Sequence, residues 1–71
     1  MTPQQQAEAI LEKYTILLSL NKVQVELIED TAIQCAITEV EAIIAENKAN
    51  GVYEVFMEKW YGIIEHLKQM L

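Results

Sequence analysis

Residues 25–48 read VELIEDTAIQCAITEVEAIIAENK, and this stretch decides the fold. Its apolar residues recur every three or four positions and form one broad face, while most of its carboxylates fall on the opposite side. Within that face Ala32, Cys35 and Ala36 are small, so a neighbouring helix can approach closely at this level. We therefore predict a long central helix over 23–48 on which the other segments pack.

A first helix is predicted over 3–19, ahead of the central one. Thr2 can cap a helix, Pro3 suits the first helical position, and Gln5 stands three residues after Thr2, as in a capping box. The chain has only two glycines and one proline, so little in it would interrupt helices. These features predict an all-α fold.

The boundary between the first two helices is the least determined by sequence, and we expect Ser19 or Asn21 to break the chain there. Asn21 and Gln24 repeat the capping-box spacing, which would start the central helix just after Asn21. No glycine or proline enforces a turn there, so a helix that continues through Asn21 is the alternative. The first case gives a three-helix bundle and the second a long helical hairpin.

The third predicted helix covers 52–70 and follows Asn50-Gly51, a normal helix end because glycine adopts the left-handed conformation. Its apolar residues alternate spacings of three and four, the pattern of packed helices. Gly62 lies inside it despite a helix propensity about 1 kcal/mol below that of alanine, which indicates close helix contact near Trp60. The residues of this packing seam are Tyr53, Phe56, Trp60, Ile63, Leu67 and Met70.

The charge balance argues against binding to nucleic acid or to anionic membranes. The net charge is −6, and five scattered lysines are the only basic groups besides His66. Phosphate recognition relies on arginine and on clustered basic residues, and this chain has no arginine. The apolar stretch 16–20 is far shorter than the ~20 residues that span a bilayer. The single cysteine and the polar N-terminus lead us to expect a cytoplasmic protein.

No combination of residues predicts catalysis, a metal or a cofactor. Cys35 has apolar neighbours and no adjacent base, so we expect a buried structural cysteine. His66 lacks partners at the spacings of metal-binding histidines, and we expect it to be exposed near a helix C-terminus. The aromatic residues around Trp60 have no basic groove beside them, so they favour a core or an interface over base stacking. The sequence predicts a non-enzymatic protein.

The surplus of apolar residues is the most informative feature. Three helices of these lengths cannot enclose all of them, and large exposed apolar surfaces usually mark interfaces. We expect a homodimer to complete the fold, although the same surface could dock on a different protein. A second hypothesis is an acidic inhibitor or decoy that binds a basic host or phage protein. The interface candidates are Ile16, Leu20, Val23, Leu27, Met57, Tyr61 and Met70.

Three blocks of the sequence carry a family resemblance. They run from TP at 2–3 through AE at 7–8 to EKY at 12–14, from AIQCAI at 32–37 through VE at 40–41 to II at 43–44, and from WY at 60–61 through IE at 64–65 to LK at 67–68. In this order they resemble small all-helical proteins of Bacteroides-type gut bacteria and their prophages, which have a TPKEKA-like start, a QCAL-like helix and a YWxEVKxEI-like end. The stretch 16–25 departs from the polar connector of those proteins. The resemblance implies no activity, and makes a phage or mobile-element accessory role an expectation.

Overall fold

A computed structural model describes residues 2–71 and contains three α-helices. They are α1 (Pro3–Leu20), α2 (Val25–Ala49) and α3 (Glu58–Gln69), with a short 3₁₀ helix at Glu54–Met57 directly before α3. The described residues form no strand, and the three helices pack against one another. The predicted all-α fold is confirmed, and of the two predicted architectures the chain adopts the three-helix bundle.

The start of α1 follows the predicted capping box. The Thr2 hydroxyl accepts a hydrogen bond from the Gln5 backbone N–H at 3.1 Å, and the Gln5 side chain accepts one from the Thr2 N–H at 2.9 Å. This first turn lies against α3, because a Cβ placed on Gly62 would be 3.3 Å from the Cβ of Pro3. The close contact predicted at Gly62 is confirmed, and the partner is the N-terminus of α1.

Asn21 ends α1 and does not cap α2, which corrects the predicted role of this residue. Its side-chain amide donates to the Leu17 carbonyl at 2.7 Å, and its backbone N–H donates to the same carbonyl at 3.1 Å. Lys22 then takes a left-handed conformation (φ 60°), and the Val23 N–H reaches the Leu18 carbonyl at 3.1 Å. These bonds form a Schellman motif that separates the two helices.

The end of α2 repeats this motif with glycine in the left-handed position. Gly51 has φ 77°, and the Val52 N–H donates to the Asn47 carbonyl at 3.0 Å. The chain does not resume an α-helix at residue 52 as predicted, because an extended Tyr53 and the 3₁₀ helix intervene. The α-helix therefore begins six residues later, at Glu58.

The core lies toward one end of the molecule. No residue from 8 to 31 is buried. With 12 residues, α3 is about 18 Å long, against about 37 Å for the 25 residues of α2, so it can flank only about half of α2. Its contact with Pro3 places it beside the start of α1. The buried core residues are Ala7, Ala32, Ile33, Ala36, Ile37, Val40, Ile44, Met57, Ile63 and Leu67.

The molecule is elongated as a result. Its radius of gyration is 13.0 Å, whereas a compact 71-residue domain has about 11 Å. Its accessible surface is 4999 Å², compared with about 4,500 Å² for a typical monomer of 8.1 kDa. The α1–α2 hairpin thus extends beyond the part that α3 covers.

Candidate functional site

The uncovered part of the α1–α2 hairpin, which we call the open end, exposes a cluster of aliphatic side chains. Between 46% and 81% of each of these residues is accessible to solvent. A groove of about 420 Å³ lies on the same part of the hairpin, between Leu11 on α1 and Val25 on α2. Ile16, Leu17 and Leu20 form this cluster on α1, and Val25 and Leu27 are exposed on different sides of α2.

The open end arises from the sequence of α1. Up to Tyr14 the apolar residues form one stripe that faces the other helices, with Ala7 fully buried. Beyond Tyr14 further aliphatic residues, such as Ile16 and Leu20, appear off that stripe. One neighbouring helix cannot cover both sides of α1, so the additional side chains remain in solvent.

A second exposed apolar cluster lies at the opposite end, in the connection between α2 and α3. The rings of Tyr53 and Phe56 lie 6.4 Å apart, and Val52 and Val55 are exposed beside them in the sequence. Val55 and Phe56 belong to the 3₁₀ helix, which turns them away from the core, and Val52 and Tyr53 precede it in the connection. The two ends of the molecule are therefore both apolar.

A polar cluster lies between α1 and α2 and is centred on Glu39. Glu39 Oε1 accepts hydrogen bonds from the Lys13 ammonium and, at 3.0 Å, from the Tyr14 hydroxyl. The Lys13 bond lowers the pKa of Glu39, although partial burial opposes this. The bond to Glu39 in turn raises the pKa values of Lys13 and Tyr14. Glu39 is therefore an oriented anion at neutral pH.

Two adjoining cavities flank this cluster and share Glu39 and Ile43, so we treat them as one feature, the Glu39 groove. Their volumes are about 500 and 270 Å³. Gln6 lies at one side, where its buried Oε1 has no hydrogen-bond partner among residues 2–71. The groove is lined by Gln6, Ala9, Ile10, Tyr14, Gln34, Cys35, Thr38, Glu39, Ala42, Ile43, Glu46 and Trp60.

The structure separates the seven interface candidates. Ile16, Leu20 and Leu27 are exposed at the open end, and Val23 is half-buried in its connector. Met57, in contrast, has 0% exposure, so its assignment to an interface is wrong. The 3₁₀ helix turns Met57 inward at the point where the predicted seam would have had Phe56.

The last two interface candidates belong to α3 and its end. Tyr61 is half-buried, and the Lys48 ammonium lies 5.7 Å from the centre of its ring. Met70 is exposed just after α3 ends. Neither residue belongs to the open end.

The predicted helix-packing residues also divide into two groups. Ala32, Ala36, Ile63 and Leu67 are fully buried in the core. Phe56 is 69% exposed, so its assignment to the packing seam is wrong. The predicted seam assumed 3.6 residues per turn from residue 52 onward, whereas the 3₁₀ helix has about 3.0 per turn and changes the direction of each side chain.

Cys35 and Trp60 were also predicted to pack between helices, and both are half-buried and line the Glu39 groove. Cys35 is thus not the buried cysteine that its apolar neighbours predicted, because one side of it faces the groove. His66 is likewise half-buried instead of exposed, since it flanks the stripe that carries Ile63 and Leu67.

Sequence reasoning did not find the Glu39 cluster. Lys13 and Glu39 are 26 positions apart, and their contact depends on how α1 and α2 are aligned. Nothing in one sequence specifies that alignment to a single residue. The only signal in the sequence was indirect. Tyr14 belongs to the apolar stripe of α1, and that stripe was expected to pack against the central helix, which carries Glu39.

Neither metal ligands nor a membrane span can be identified in the described part of the chain. Residues 2–71 contain no group of three or more His, Cys, Asp or Glu side chains placed to hold a metal ion. No helix among them combines the length and apolar character needed to cross a bilayer.

Comparison of the chain with protein-family models, curated proteins and solved structures found no match. The functional interpretation therefore rests on the two apolar ends and the Glu39 groove.

Proposed function

We propose that this protein is a non-enzymatic helical module that self-associates as a homodimer through its open end. The observation that supports this most directly is the distribution of burial. Residues 8–31 include twelve apolar residues, yet none of them is buried. A second copy that covers the exposed side chains of the open end would give them the environment that α3 provides at the other end.

A twofold arrangement of two hairpins satisfies the geometry. At the covered end three helices meet, whereas at the open end only α1 and α2 are present. If the open ends of two copies lie against each other, four helices surround a shared core, a common arrangement for helical bundles. The same surface is used by both copies, as in most homodimers.

The area available is consistent with a dimer. The five exposed side chains of the open end together expose the equivalent of about three whole aliphatic residues. Burying each is worth about 1.5–3 kcal/mol, or about 9–18 kcal/mol for two copies. The loss of translational and rotational freedom opposes association by about 4–15 kcal/mol. The two ranges overlap, so burial of the whole open end is large enough to offset this cost.

The decisive experiment compares matched lysine substitutions at the two ends. Leu20 and Phe56 are 75% and 69% exposed, so neither Leu20→Lys nor Phe56→Lys removes a core side chain. By sedimentation at micromolar concentration we expect a wild-type mass near twice 8.1 kDa. We expect Leu20→Lys to weaken the dimer by about 100-fold or more, because the change occurs in both copies. Phe56→Lys should leave it unchanged.

Two results would overturn this proposal. A wild-type protein that remains an 8.1 kDa monomer up to 100 µM, roughly the range of weak dimers, would exclude self-association. A dimer that dissociates on Phe56→Lys but not on Leu20→Lys would place the interface at the opposite end. Circular dichroism of both variants checks that the helices are intact.

The biological setting remains a proposal that the sequence resemblance supports. An accessory protein of a phage or mobile element needs no catalytic site, and a small self-associating helical module would suit that role.

A further inference from the structure

We propose that the Glu39 groove binds an amphipathic basic helix of another protein. This site is separate from the open end. Its expected occupant is positively charged, which distinguishes it from a second copy of this acidic chain. The inference goes beyond self-association and does not depend on it.

The groove offers hydrogen-bond acceptors that lack donors. Both hydrogen bonds that Glu39 receives from the protein end on Oε1, which leaves Oε2 for a ligand or solvent. Gln6 Oε1 is buried without a donor among residues 2–71. Glu46, at the other limit of the groove, forms no ion pair with those residues. A ligand that presents cationic donors would complement the carboxylates of Glu39 and Glu46, whereas the buried Gln6 Oε1 lies out of its reach.

The remaining lining suits the apolar face of a helix. Ala9, Cys35 and Ala42 are small, so a helix can approach the groove closely, while Ile43 and Trp60 provide apolar contact. From Gln34 to Glu46 the groove follows α2 for about 18 Å, which corresponds to between three and four helical turns. Helix-in-groove recognition uses apolar anchors repeated over about this length.

The carboxylates specify the spacing of the cations. Glu39 and Glu46 are seven residues apart on α2, or about 10.5 Å along its axis. A docked helix would therefore pair best through two lysines or arginines seven residues apart. The lysines of this chain, at positions 13, 22, 48, 59 and 68, contain no pair with that spacing. A second copy is thus a poor occupant, and a different protein is favoured.

The groove already contains one cation, but Lys13 does not close it. Lys13 is half exposed, and exposed ion pairs contribute only about 0–1 kcal/mol. Its ammonium lies on the Oε1 side of Glu39, so an incoming donor can approach Oε2 or displace it.

Trp60 makes the test direct, because it is the only tryptophan in the chain and lines the groove. The probe is a synthetic 14-residue helix, about the groove length, with leucines on one face and two lysines seven residues apart. A second probe carries glutamates in place of the lysines. We expect saturable 1:1 binding of the first, seen as a change in Trp60 fluorescence, and none of the second.

Three variants locate the binding. We expect Glu39→Gln and Glu46→Gln each to weaken binding by about fivefold. The matched control is Glu41→Gln, an exposed carboxylate on α2 that does not line the groove, and it should change affinity less than about twofold. Ala42→Phe fills the groove without altering charge or adding a second tryptophan and should abolish binding, and circular dichroism confirms that it folds.

The proposal fails if Glu41→Gln weakens binding as much as Glu39→Gln, since binding would then reflect overall charge alone. It also fails if Ala42→Phe binds the lysine peptide normally, or if the wild-type protein does not bind it. Loss of dimerisation in Leu20→Lys with unchanged peptide affinity would show that the two surfaces are independent.

Discussion

At the scale of single residues, Glu39 is a partly buried carboxylate that receives two side-chain hydrogen bonds. Two donors on α1 fix one of its carboxylate oxygens, and the cluster links the two longest helices. Because the Lys13 bond lowers the pKa of Glu39 below its ordinary 4.5, the folded state binds this proton more weakly than the unfolded state does. The contact therefore stabilises the fold above pH ~4.5, and this contribution is lost as the pH falls through the folded pKa.

Glu39→Gln tests this dependence on pH. At pH 7 we expect the free energy of unfolding to fall by up to about 1 kcal/mol, the upper range for pairs this exposed. As the pH falls through the lowered pKa of Glu39 in the folded state, we expect the variant and the wild type to converge. Urea denaturation at a single protein concentration measures the free energy of unfolding at each pH. The control Glu41→Gln, which removes an unpaired carboxylate, should show no such convergence.

A single sequence reveals the parts of this cluster that depend on residues close together in the chain. It does not reveal contacts between residues that are far apart in the chain. Apolar periodicity placed Tyr14 on the packed side of α1, because that pattern is local. The Lys13–Glu39 contact joins positions 26 residues apart, and a shift of one helical turn between α1 and α2 would separate them. The same limit applies to Cys35, whose exposed side follows from the groove and not from its neighbours in sequence.

At the scale of helices and turns, the ends of α1 and α2 use the same motif with different residues. Asn21-Lys22-Val23 and Asn50-Gly51-Val52 make equivalent hydrogen bonds, and the middle residue is left-handed in both. A non-glycine residue in that conformation is strained by about 1–2 kcal/mol. The α1–α2 turn is therefore less stable than its counterpart.

Replacing Lys22 with glycine should relieve this strain. We expect Lys22→Gly to raise the free energy of unfolding by about 0.5–1 kcal/mol, because the greater freedom of glycine in the unfolded chain offsets part of the gain. Lys22→Ala removes the same charge but keeps a Cβ at φ 60°, so it should give no comparable gain. Thermal unfolding of the two variants measures the difference, and equal stabilities would contradict the strain argument.

Helix ends also explain where the sequence was informative about the fold. The capping box at Thr2 and the Asn50-Gly51 stop are local signals, and the bounds of α1 and α2 lie within about two residues of those expected. The start of α3 was wrong by six residues because the apolar spacing of three and four already begins at Tyr53 and runs through the 3₁₀ helix, so it does not mark where the α-helix starts. The sequence therefore predicted an α-helix from residue 52 onward. That prediction placed Phe56 in the packing seam and Met57 at an interface, whereas Phe56 is exposed and Met57 is buried.

At the scale of the whole molecule, the two proposed interactions respond to salt in opposite directions. Each chain carries a net charge of −6, so two copies repel each other while their apolar open ends attract. Salt screens that repulsion, with a Debye length that falls from about 30 Å at 0.01 M to about 10 Å at 0.1 M. A basic helix in the Glu39 groove is instead attracted by the same charge.

We therefore expect sodium chloride to strengthen self-association and to weaken peptide binding. Between 0.01 and 0.2 M salt the Debye length falls from about 30 Å to less than about 10 Å. We therefore expect each affinity to change about three- to tenfold. Sedimentation measures the first and Trp60 fluorescence the second. A dimer that weakens with salt would indicate charge pairing across the interface, in conflict with an apolar one.

The confinement of the core to one end of the bundle also has a consequence for local stability. Backbone hydrogen bonds near few buried side chains open at lower free energy than those in a core, so protection from amide exchange should decline along the long axis toward the Lys22 turn. If open ends associate, that gradient would flatten as protein concentration rises. Amide-exchange protection at the tip of the α1–α2 hairpin would then measure the fraction of associated chains, because association restricts local opening there.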